Sequence, residues 1–170
     1  MIAGAPQQAA EAARAYAAGW ALLRKILVAG EFNKSDPRAG ATRDSWDAAQ
    51  DALGGAASVA ATPTQQAAYL TQQARVRLSL AWSCRLLGEA KGWAADTIDA
   101  LDLAASRDPA EASAWGAAWI RQRAVRILSF SGADSDLAPK WGPSFTEPPS
   151  GGAGWLAAAI AGAFYWWAKS

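Results

Sequence analysis

Alanine occupies 45 of the 170 positions, and no other feature constrains the fold as much. Alanine is the best helix former and fills little volume. Helices built from it approach closely around thin cores, which need large side chains to complete their packing. The chain carries ten tryptophans, of which Trp20, Trp46, Trp82, Trp115 and Trp119 can do this. It shows no alternating apolar runs bounded by turn residues, so no β-hairpin is expected. The expectation is an all-α fold with a single helical bundle of about five helices over 1–130. A Pro/Gly-rich extended arm over 131–152 and an apolar C-terminal helix over 153–170 follow it.

Helical spacing recurs along the body. Over 7–29, Ala13, Tyr16, Trp20, Leu23 and Leu27 share one face, with Gly30 as a stop and a loop over 33–38. Thr42 is expected to cap a shorter helix that carries Trp46 and Leu53 and ends at Gly54 and Gly55. Thr62, Pro63 and Gln65 form a capping box that opens a third helix reaching Ala90. Its stripe of Tyr69, Val76, Leu80, Cys84 and Leu87 is widened by Leu70, Leu78, Trp82 and Leu86, which predicts a central helix. Gly92 is expected to break the pattern before a short helix over 93–106. Asp108, Pro109 and Glu111 repeat the capping chemistry and open a fifth helix over 108–128.

Composition excludes several functions. The chain has no histidine and one cysteine. Ser-His-Asp and Cys-His nucleophiles cannot be built within it, nor can a His/Cys zinc site. Sixteen basic against 15 acidic residues argue against a nucleic-acid coat. Successive segments alternate in charge sign, which predicts attraction at helix rims, each exposed pair worth well under about 1 kcal/mol. Residues 1–8 show no basic region followed by an apolar run, so the expected location is the cytoplasm or a large assembly, with no secretory signal.

Three features could carry chemistry. Asp96, Asp99 and Asp102 lie three apart and could hold a hard cation, the basis of a metal-dependent enzyme reading. The plainer expectation is a solvated acidic face meeting Arg75, Arg77 or Arg85. Arg121, Arg123 and Arg126 could touch phosphate or anionic lipid, but pairing within the bundle is expected. Cys84, on an apolar stripe, is expected to be a buried, inert thiol. No catalytic residue, metal ligand set, cofactor or small-molecule substrate is inferred, and nucleic acid is not expected as a partner.

The C-terminal segment is the most informative stretch. Residues 152–168 carry no charge and as a helix would span about 25 Å. Gly154, Ala158 and Gly162 repeat every four residues and make a face for close helix contact. Trp155, Trp166 and Trp167 flank the segment, with Ile160 and Phe164 between them as anchors. The segment has three possible destinations: its own bundle, a partner subunit or second copy, or a membrane. The tether could stretch to roughly 70 Å, which favours the last two. Alanine-rich composition and marginal length weigh against the membrane.

The expected function is that of a non-catalytic structural or assembly subunit, which oligomerises or docks on a protein partner through this segment. A membrane-associated accessory protein is the alternative. Small helical adaptors of tailed-phage particles share the plan of helical body and reaching tail. That likeness is architectural, and no motif carries it.

Overall fold

Two helix starts follow the capping chemistry legible in the sequence. The Thr62 hydroxyl accepts from the Gln65 N–H at 3.1 Å, and Pro63 takes the first helical position. Asp108 repeats the arrangement, its carboxylate accepting from the Glu111 N–H at 3.1 Å ahead of Pro109. The computed structural model describes residues 4–28 and 37–133. These residues form helices α1 (Ala5–Val28), α2 (Pro37–Ser58), α3 (Pro63–Ser83), α4 (Leu87–Arg107), α5 (Pro109–Ala114) and α6 (Ala117–Leu128), with no strand among them. The fold is all-α.

Helix α3 is the centre. Of its 21 residues, 16 are buried, so it is covered on nearly every side. Helices α2 and α4 flank it, α5 and α6 also touch it, and α1 packs along α2. Buried hydroxyls of α3 bond back within the helix, while Gln73 and Arg75 reach Gln50 and Trp115 on its neighbours. Thr71 and Ser79 donate to the carbonyls of Ala67 and Arg75, one helical turn back.

Tryptophan fills the space that alanine leaves. Trp46 is fully buried, its ring centroid 5.1 Å from Trp20 and 5.8 Å from Tyr16. Trp20 stacks on Trp82 at 5.9 Å. The Trp46 N–H donates to the Tyr16 carbonyl at 3.1 Å, and the Tyr16 hydroxyl shares a 2.9 Å hydrogen bond with Ser79. This cluster joins α1, α2 and α3. Ala13, Tyr16, Trp20 and Leu23 are buried on α1 as their spacing predicts. The side chain of Leu27, with Gly30 and the loop expected up to residue 36, lies outside the described residues.

The helix boundaries need correction in four places. Helix α2 starts at Pro37 and runs through Gly54 and Gly55 to Ser58. Thr42 is therefore inside it, buried, its hydroxyl donating to the Gly19 carbonyl at 3.5 Å. The two glycines permit close approach: a Cβ would come within 2.7 Å of Gln73 Nε2 at Gly54 and within 2.5 Å of Gln8 Oε1 at Gly55. The third helix ends at Ser83, because Cys84 and Leu86 take extended backbone conformations. Helix α4 runs straight through Gly92, where nothing lies within 4 Å of an added Cβ. The expected fifth helix is two, split at Gly116, whose φ of 86° is left-handed and suits glycine.

Candidate functional site

The residues singled out for docking, Gly154, Trp155, Ala158, Ile160, Gly162, Phe164, Trp166 and Trp167, lie outside the described residues, as does the tether from residue 134. The described bundle has a groove at one end.

The groove follows from the early end of α3. Past Ser83 the chain extends, then turns into α4, and α2 crosses this corner. Arg43 of α2 donates to the Ser83 carbonyl at 3.3 Å, tying the last turn of α3 to α2. The resulting cleft holds about 500 Å³. Leu80, Cys84 and Trp93 make its apolar floor. Leu86 stands at its edge, 52% exposed, and corrects the expectation that it belongs to the core stripe. The rest of the lining is charged: Arg43, Arg85, Asp44, Asp47 and Glu89. Cys84 is buried as expected, its thiol donating to the Leu80 carbonyl at 3.2 Å.

A second polar centre holds the α5–α6 junction. Arg75 is buried, and its guanidinium donates to the Trp115 carbonyl at 3.3 Å. Its Cζ lies 5.0 Å from the Trp119 ring centroid, and that of Arg123 lies 3.8 Å from the same ring. Burial pushes the Arg75 pKa below the usual guanidinium value, opposed by Tyr16 and aided by Arg123. Desolvation raises Tyr16 in turn, against the nearby Arg75 charge. A buried cation held between the Trp119 ring and the Trp115 carbonyl fixes backbone here.

The charged clusters behave as parts of the bundle. Asp96, Asp99 and Asp102 are exposed on α4. Among the described residues no group of three His, Cys, Asp or Glu side chains could hold a metal ion. Asp102 forms an ion pair with Arg121, and Arg77 reaches the Asp96 carbonyl at 3.1 Å. Of the expected partners Arg77 thus meets the stripe, at the Asp96 backbone, and Arg121 of α6 pairs with its Asp102 carboxylate. Arg121 and Arg123 are both engaged within the bundle. No described helix is long and apolar enough to cross a membrane.

Sequence reasoning missed the groove. It draws on three helices, and its decisive residue, Leu86, continues the apolar spacing of α3 although the helix has already ended. No protein-family model, curated protein or solved structure matches this chain.

Proposed function

We propose that this chain is a non-catalytic structural or assembly subunit, acting by docking its C-terminal segment, 153–170, on protein: another copy of itself or a partner subunit. The observation that supports this is how the tryptophans divide. Trp20, Trp46 and Trp82 are buried in the body, and Trp93 and Trp119 pack against its core. Trp115, also in the body, is half-buried and donates its indole N–H to Glu111. Trp155, Trp166 and Trp167 belong to a separate uncharged stretch beyond the Pro/Gly-rich tether. Such a stretch left in water is an exposed apolar patch of the kind that marks interaction surfaces.

Light scattering on size-exclusion eluate, without detergent, tests the reading. The full chain is expected as a discrete oligomer and residues 1–150 as a folded monomer. Full-length protein recovered only in detergent, beside a clean 1–150 monomer, would move the function to a membrane-associated accessory role. A virus-particle component is one setting for an assembly subunit of this plan.

A further inference from the structure

We propose that the groove between α2, α3 and α4 is the receptor for the C-terminal segment of a second copy of this chain. This rests on the assembly reading above and names the surface that the segment docks on.

Position supports it. Helix α6 packs on α4, and Arg121, early in α6, pairs with Asp102, late in α4. Nine helical residues back from Asp102 lies Trp93, a rise of about 13 Å, and seven on from Arg121 lies Leu128, the last residue of α6, a rise of about 10 Å. Both side chains pack against the core. Helix α6 therefore runs toward the end of the bundle that holds the groove.

Chemistry agrees. A cleft of about 500 Å³ is large enough to take bulky side chains. Leu80, Trp93 and the exposed Leu86 offer apolar contact. Asp44, Asp47 and Glu89 offer acceptors for indole N–H groups and for Lys169, while Arg85 offers a guanidinium for an indole face. Residues 152–170 bring three tryptophans and one lysine and no acidic side chain, so the segment complements this lining.

The tether permits a neighbour. Some twenty residues separate the described chain from the segment, and at full extension they reach up to about 70 Å, enough to span to a second copy. Two copies facing each other across a two-fold axis then exchange segments reciprocally, and the assembly closes.

The test uses the full-length chain. Leu86→Glu spoils the groove at an exposed position, so the fold survives, and Trp166→Ser with Trp167→Ser spoils the segment. Light scattering is expected to give a wild-type dimer and monomers for both variants. Mixing the two variants equimolar is expected to restore a weaker dimer, because one intact groove then meets one intact segment. A second chain carries Cys84→Ala, Leu86→Cys and Trp166→Cys. On oxidation it is expected to run as a disulfide-linked dimer on a non-reducing gel. If the segment variant is monomeric but Leu86→Glu stays dimeric, the groove assignment is wrong and assembly through the segment stands. If the segment variant keeps the wild-type mass, both fall. A disulfide that closes within single chains puts the segment in its own groove and overturns the exchange.

Discussion

The Thr64 hydroxyl donates to Asp108 Oδ2 at 2.7 Å across 44 residues of sequence, joining the first turn of α3 to the N-cap of α5. Asp108 is thus a cap and a tie between helix starts at once. The Glu111 N–H bond first, and then Thr64, hold its carboxyl below the ordinary aspartate value of 3.8. A depressed folded pKa contributes stability that is full above the unfolded value and is lost as pH falls through the folded one. Asp108→Ala should lower the melting temperature by a few degrees at neutral pH. The gap from wild type should shrink below about pH 4. Melting curves from pH 7 down to pH 2 check this, and a constant gap would remove Asp108 from the account.

Trp46 is the side chain the bundle can least spare. It is fully buried, contacts two aromatic rings and donates to the Tyr16 carbonyl. Trp46→Ala should cost about 3–5 kcal/mol in urea unfolding. Trp46→Phe keeps ring packing but strips the Tyr16 carbonyl of its donor, and should cost about 1–3 kcal/mol.

Glycine shows where the sequence is legible and where it is not. The capped starts at Thr62 and Asp108 can be read directly, because side chain, proline and third residue are all local. The glycines cannot. Gly54 and Gly55 look like a stop and lie inside α2, because what they accommodate is Gln73 and Gln8 from other helices. The break at Cys84–Leu86 carries neither glycine nor proline, so nothing local announces it. The groove, which depends on that break, was hidden for the same reason. Sequence alone makes Arg75 a candidate partner of the acidic stripe, whereas its setting depends on the Trp115 carbonyl and the Trp119 ring, 40 and more residues away.

Two glycine substitutions should therefore act with opposite sign. At Gly92, exposed and with open space around a Cβ, alanine should stabilise by about 0.5–1 kcal/mol. At Gly19 a Cβ would fall 2.3 Å from Trp46 Nε1, in a fully buried ring that cannot easily yield. Gly19→Ala should cost about 1–3 kcal/mol by overpacking. Chemical denaturation of both variants gives the two signs. A neutral Gly19→Ala would mean that α1 and α2 are less closely apposed than described.

Arg75 and Arg123 share the Trp119 ring, and the more distant guanidinium should matter more. Arg123 is closer to the centroid, at 3.8 Å against 5.0 Å for Arg75. Arg75 is 5% exposed, however, and also donates to the Trp115 carbonyl, whereas Arg123 is only half-buried. Water screens a cation–ring attraction as it does an ion pair, so burial outweighs the shorter distance. Arg75→Ala should cost about 2–4 kcal/mol, including the loss of the donor to Trp115. Double-mutant cycles with Trp119→Leu should return a coupling of about 1–2 kcal/mol for Arg75 and about 0.5 kcal/mol for Arg123. The reverse order would mean that ring distance governs at this junction, and that water reaches Arg75 more freely than its burial implies.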